Sequence, residues 1–262
     1  MKRWAIIFFL LPLVLPAQRH NRSNWGFEDN ETVRRSFTGR RLTVDNISGY
    51  VHVTGGSGGT VEVSVAKHIE AESNAELLRA KQEVSLDMSQ QGDTVRLYVD
   101  GPFRRRGDGG HRGYEVFYDY DIQVPSNIEL DLKTINAGDI VVKGTNGDFN
   151  IHGLNGGIEM DQVSGSGNVN TLNGPVKASF TRNPTKASTF HSLNGSIEVH
   201  FQPGLNADMK FHTLNGGVYA DFDVTVGAGQ ALDRRNMEAR VGSGGLPLSF
   251  DTLNGSIKLY TK

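Results

Sequence analysis

The chain has no cysteine among its 262 residues. That excludes a disulfide framework, a thiolate nucleophile, Cys-ligated zinc and a cysteine-anchored lipid. Charge of one sign is not in excess: 27 Lys and Arg stand against 29 Asp and Glu. No basic surplus marks nucleic acid as a partner. Long hydrophobic runs are missing too. The apolar stretch Ile6 to Leu15 is broken by Pro12 and falls short of the roughly 20 residues of a comfortable membrane span. It follows Lys2 and Arg3 and precedes Pro16-Ala17, so residues 1–17 read as an export signal. Its removal takes the basic count from 27 to 25 and leaves no stable span. The expected address is the periplasm or the cell surface. No G-x-S-x-G elbow, H-E-x-x-H zinc helix or phosphate-binding G-x-x-x-x-G-K-[ST] loop occurs, so no enzyme, no catalytic residue and no cofactor are expected.

Glycine is the abundant residue, with 32 copies, well above the usual share of about 7%. Residues 18–35 are polar and read as a flexible lead-in. From Ser36 the pattern alternates with the strand period, as in Leu42-Thr43-Val44, Tyr50 to Val53 and Thr60 to Val65. Ala71 to Val84 interrupts it with good helix formers, and Ser73 with Glu76 suits a capping box, which predicts one short helix. Strands resume at Val84 to Met88 and Thr94 to Val99. A basic glycine-rich loop, Pro102 to Gly113, precedes a strand or strand pair over Tyr114 to Val124. The expected organisation is a single domain over 36–262, with an irregular part at 36–125 and repeat coils at 126–262.

Leu-Asn-Gly occurs five times, with Asn155-Gly156, Asn173-Gly174, Asn194-Gly195, Asn215-Gly216 and Asn254-Gly255 at its corners. Asn136 heads a looser copy, and Ser48-Gly49 stands in the place of an earlier one. Taking the Asn as position zero, the columns at −4, −2, +3 and +5 are apolar or small, and those between are polar. Each repeat therefore reads as strand, Asn-Gly corner, strand, with alternate side chains inward. A coil of this kind cannot bury its apolar face alone, so neighbours stack into one core. Asn and Gly tolerate positive φ, which a sharp corner is expected to need. Stacked Asn amides are expected to bond rung to rung. The fold class expected is all-β, a β-solenoid of Gly/Asn-rich coils with one helical excursion, the last coil closing the stack with Tyr260. A sandwich of hairpins with Asn-Gly turns is the alternative.

The segment V-P-S-N-I-E-L (Val124 to Leu130) and the recurring T-L-N-G-x-I/V motif resemble the DUF4097 family of adhesin-like domains over residues 36–262. That family is similar in turn to toast-rack and GIN-type head domains, and the resemblance implies a right-handed solenoid and a binding role. It carries no catalytic residues to transfer. The chain departs from it in the insertion Thr225 to Leu246.

The column at −3 is the sharpest candidate ligand face, with His152, His191, His212 and Asp251. His191 and His212 are expected on adjacent rungs with Asp251 next. A transition ion is one reading; an exposed polar ladder, with no metal, is the favoured one. Arg104, Arg105, Arg106 and Arg112 form a candidate anion-binding loop, and its Arg-Gly-Asp at 106–108 is a short receptor-type tripeptide. Asp139, Asp148, Asp161 and Asp221 follow glycine turns or strand ends without the spacing of a calcium roll. The expected role is envelope binding or scaffolding, with a glycan or an envelope protein as partner. An assembly module binding a protein and a polysaccharide-processing enzyme working through outward carboxylates (Glu159, Glu198, Asp161, Asp221) are the alternatives.

Overall fold

A computed structural model describes residues 25–104, 112–136, 138–226 and 236–261. Residues 1–17, Arg105, Arg106 and the Arg-Gly-Asp tripeptide lie outside them. The strands in chain order are β1 (Phe27–Phe37), β2 (Arg41–Asp45), β3 (Val51–Gly56), β4 (Val61–Ala71), β5 (Ser85–Gln91), β6 (Thr94–Asp100), β7 (Tyr114–Pro125), β8 (Glu129–Thr134), β9 (Ile140–Lys143), β10 (Phe149–Asn155) and β11 (Ile158–Val163). They continue as β12 (Gly167–Asn173), β13 (Val176–Phe180), β14 (Ser188–Asn194), β15 (Ile197–Phe201), β16 (Ala207–Asn215), β17 (Val218–Ala220), β18 (Thr225–Val226), β19 (Asn236–Val241), β20 (Pro247–Asn254) and β21 (Ile257–Thr261). Among the described residues one α-helix, α1 (Asn74–Glu83), packs on the N-terminal strands, and Ser73 Oγ caps it by accepting from the Glu76 N–H at 3.2 Å. Phe27 to Arg35, expected as lead-in, belong to β1, which pairs with β4 along its length.

Among the described residues the strands fall into two mixed sheets, with no closed barrel. The first runs β1-β4-β7-β3-β9-β11-β13-β15-β21-β17 and the second β18-β19-β16-β20-β14-β12-β10-β8-β2-β6-β5. Each repeat gives one strand to the second sheet and, after its corner, one to the first. Like strands then stack in parallel and in register: Asn155 faces Asn173, Asn173 faces Asn194, and Ile158 faces Val176. The expected inward columns meet between the sheets. Phe190, Phe250 and Phe211 stack in sequence with 5.4 Å between successive rings, and Phe180 lies 5.8 Å from Phe201. Such offset aromatic stacks add to burial.

The order of the rungs differs from the order of the chain at both ends. β2 and β3 come first among the coils but lie inside β6 and β7. The final pair, β20 and β21, lies between β14–β15 and β16–β17. The last coil in sequence is therefore an inner rung, and β16–β17 is outermost. Tyr260 does not close the stack; it packs on His200 with ring centres 4.8 Å apart. The insertion supplies β18 and β19, which extend the second sheet antiparallel beyond β16.

Candidate functional site

The corners come first, because they set the register of everything on the faces. The Asn amides form one directed chain: Asn155 Nδ2 donates to Asn136, Asn173 to Asn155, Asn194 to Asn173, Asn254 to Asn194 and Asn215 to Asn254, at 3.4, 2.8, 2.8, 2.6 and 2.7 Å. Two residues back, on the inside, buried hydroxyls at −2 cross to the neighbouring corner. Thr171 donates to the Gly156 carbonyl, Ser192 to Gly174, Thr252 to Gly195 and Thr213 to Gly255, at 2.8–3.0 Å. Each buried hydroxyl is thereby satisfied, as burial requires.

The reason for the corner glycine is close approach, not positive φ. None of the corner Asn residues has positive φ, and of the corner glycines only Gly49, at 107°, and Gly174, at 158°, have one; Gly156, Gly195, Gly216 and Gly255 do not. A Cβ on Gly156, Gly195, Gly255 or Gly216 would sit 1.9–2.2 Å from the glycine carbonyl oxygen of the adjacent rung. Backbone meets backbone there, and only hydrogen fits.

With the register fixed, the two outer faces differ in chemistry. On the first sheet, the +4 column reads Glu159, Lys177, Glu198 and Lys258 on successive paired rungs. Opposite charges alternate, so this face supplies its own counter-charges. On the second sheet the same four rungs present Asn150 and His152, Asn168 and Asn170, Thr189 and His191, Ser249 and Asp251. Eight hydrogen-bonding side chains carry one formal charge, that of Asp251. Beside them, at −1, runs a leucine row of Leu154, Leu172, Leu193, Leu253 and Leu214, whose ends are about 40% exposed. The sequence reading missed this row. Its signal was a leucine held at a position that alternation places outside, where the core does not call for one.

The candidate ligand residues divide. His191, Asp251 and His212 are brought together, with Asp251 in the middle. Its Oδ1 lies 3.5 Å from His191 Nδ1 and 3.3 Å from His212 Nδ1. The two histidines are two rungs apart, not adjacent, because β20 lies between β14 and β16. His152 stands apart, bonded to Asn150 at 2.9 Å. Among the described residues no group of three His, Cys, Asp or Glu is placed to hold a metal ion. An open depression of about 620 Å³ adjoins Asp251 and His212, lined also by Lys210, Asn236, Met237, Glu238 and Ser249.

The arginine loop does not present Arg104 to a ligand. Arg104 pairs with Asp45 at 3.1 Å, donates to the Asp45 carbonyl at 2.9 Å and lies 4.2 Å over the Tyr98 ring. It ties the loop to the β2–β6 rungs. Arg112 is near enough to Glu83 to help hold that carboxyl below its ordinary range, behind the larger effects of the Arg79 and Tyr114 hydrogen bonds. The aspartates at strand ends are likewise engaged: Asp139 accepts from the Gly157 N–H at 2.7 Å, Asp148 from Ser166 at 3.1 Å and Asp221 from Thr261 at 2.9 Å. They tie one rung to the next.

No protein-family profile matches the chain, and no curated protein matches it significantly. Solved structures do. A protein of Clostridium sporogenes provisionally named a cell adhesion protein is 11% identical, covers 89% of this chain and 100% of its own, and has a TM-score of 0.45. A provisionally named adhesin of Bacteroides fragilis is 11% identical over 88% and 97%, at 0.42. A provisionally named lipid binding protein of Parabacteroides distasonis is 11% identical over 89% and 97%, at 0.33. These likenesses carry no weight for function, which is read from the chain's own geometry.

Proposed function

We propose that this chain is a non-enzymatic, exported binding module of the cell envelope, an adhesin-like domain of the DUF4097 type. The coils wind right-handed, the hand that parallel crossovers almost always take. The contact surface is the outer face of the second sheet. The observation that supports this is the contrast between the faces. One neutralises itself with alternating charge. The other offers, on its four central rungs, rows of donors and acceptors that are uncharged but for Asp251, at the roughly 4.8 Å strand pitch, and uncharged polar groups cost less to desolvate for a partner than charges do. A repetitive polar polymer lying along the stack meets the same groups rung after rung, so weak contacts add up by multivalency. A glycan of the envelope is the partner class that this pattern fits best.

The leucine row favours a second reading, a protein partner, because exposed apolar stripes mark protein contacts. The two separate in one experiment. The protein is incubated with purified envelope polysaccharide and, in parallel, with the envelope protein fraction. The glycan reading expects retention on polysaccharide that Asn168→Glu/Asn170→Glu abolishes and Leu172→Ser leaves intact. Retention only by the protein fraction, lost with Leu172→Ser, would replace it. Release of oligosaccharide during incubation would return the chain to the enzymes.

A further inference from the structure

Six Asn-Gly pairs occur in the chain: the five corners and Asn146-Gly147. Asn-Gly is chemically labile in any flexible peptide. The glycine amide nitrogen, once deprotonated, attacks the Asn Cγ; the bond to Nδ2 breaks and ammonia leaves with a proton. Water then opens the resulting five-membered imide to aspartate or isoaspartate. The only co-reactant is water. A fold suppresses this wherever it holds the side-chain amide or the glycine N–H.

The ladder holds most of them. Asn155, Asn173, Asn194 and Asn254 are each fixed at both ends, donating through Nδ2 to one rung and accepting through Oδ1 from the other. The Gly156, Gly174 and Gly255 N–H groups donate to the Asn carbonyl of the next rung at 3.0, 3.1 and 3.2 Å. Asn146 lies at another corner, where its Oδ1 accepts from Ser164 at 2.6 Å and Gly147 is packed against the Ile128 carbonyl.

Asn215 is different because the chain's last coil went inside. Its rung is the outermost of the coils: the first sheet ends with the three-residue β17, and in the second sheet β19 lies beyond β16 but pairs with it only over Ala207–His212, short of the corner. Asn215 donates to Asn254, but among the described residues nothing donates to its Oδ1, and the Gly216 N–H has no described acceptor. Gly195 also shows no acceptor, yet Asn194 beside it is held at both ends. Gly216 is the exposed corner glycine of the set, where Gly156, Gly174, Gly195 and Gly255 are half-buried.

We propose that Asn215 is a site of spontaneous deamidation, singled out from five other Asn-Gly pairs by its place at the open end of the ladder. The product changes the end of the stack. A carboxylate at 215 has no N–H to give to Asn254 Oδ1, so two oxygens face one another where a 2.7 Å hydrogen bond stood, and the outermost rung loosens. Age of the molecule is thereby written into one defined rung, whatever the partner of the binding face.

The test is peptide mapping by mass spectrometry after incubation of the folded protein at mildly alkaline pH, with a parallel sample unfolded in urea. The unfolded sample is expected to convert all six pairs at comparable rates. The folded one is expected to convert Asn215 about tenfold faster than any other, the factor that one retained hydrogen bond commonly supplies. As a second arm, Asn254→Ala removes the remaining partner of Asn215 and should accelerate its conversion further. Conversion of Asn215 in the folded protein no faster than that of the other five would overturn the proposal.

Discussion

Asp251 Oδ1 lies 3.3 Å from His212 Nδ1, across 39 residues of sequence, and 3.5 Å from His191 on its other side. The contact exists because β20 is inserted between two strands that precede it in the chain. All three side chains are 31–43% exposed, so solvent weakens the contacts and together they contribute at most about 1 kcal/mol. Asp251→Ala is therefore expected to shift the unfolding midpoint little while weakening envelope binding, since it removes the charged acceptor of the uncharged face. Denaturant titration beside a binding assay checks both halves; a loss of several kcal/mol would show that the cluster is structural.

The corner glycines make the opposite prediction. A Cβ on Gly195 would stand 2.1 Å from the Gly174 carbonyl, whereas Gly58 has open space around it. Forcing two rungs apart disturbs packing along the stack, so Gly195→Ala should cost about 3 kcal/mol or more, in the range of severe overpacking. Gly58→Ala should be within about 0.5 kcal/mol of neutral. Equal melting temperatures for the two variants would contradict the close-approach explanation of the Asn-Gly motif.

Asp119 carries a pH signature. Burial pushes its carboxyl above the ordinary value of 3.8, more strongly than the N–H of Tyr50, bonded at 3.0 Å, pulls it down. A group whose folded value is raised stabilises the fold most below its unfolded value, and that contribution is lost as pH rises through the folded value. Asp119→Asn keeps an oxygen acceptor and removes the titration. The variant should gain stability relative to the parent between pH 4 and pH 7. Chemical denaturation at the two values reads the difference; an unchanged gap would remove Asp119 from the pH dependence.

The repeat made much of this molecule legible in advance. Columns at −4, −2, +3 and +5 alternate because a strand alternates, and the Asn ladder followed from identical residues stacked at one pitch. Ser73 and Glu76 gave the helix its start. The neighbour order of the rungs was hidden for the same reason that the repeat was visible. Every coil presents the same columns to the next, so Phe250 fits between Phe190 and Phe211 as well as either fits the other, and only the paths of the connections decide. The role of glycine was misread because a corner viewed alone suggests a φ requirement, while the constraint comes from the rung beside it. Arg104 looked available because Asp45, its partner, is 59 residues away.

The inserted coil is the relationship on which the His191–Asp251–His212 cluster and the exposed Asn215 end both depend. The absence of native cysteine allows it to be tested with engineered pairs at the outward, in-register positions Thr189, Ser249 and Lys210. Neighbouring strands are about 4.8 Å apart, within reach of a disulfide, while alternate strands at about twice that distance are not. Oxidation of the Thr189→Cys/Ser249→Cys and Ser249→Cys/Lys210→Cys proteins should form a bond in each, and the Thr189→Cys/Lys210→Cys protein should remain reduced. Ready cross-linking of 189 to 210, with none from 189 to 249, would mean that the coils stack in the order of the chain and that the cluster does not exist.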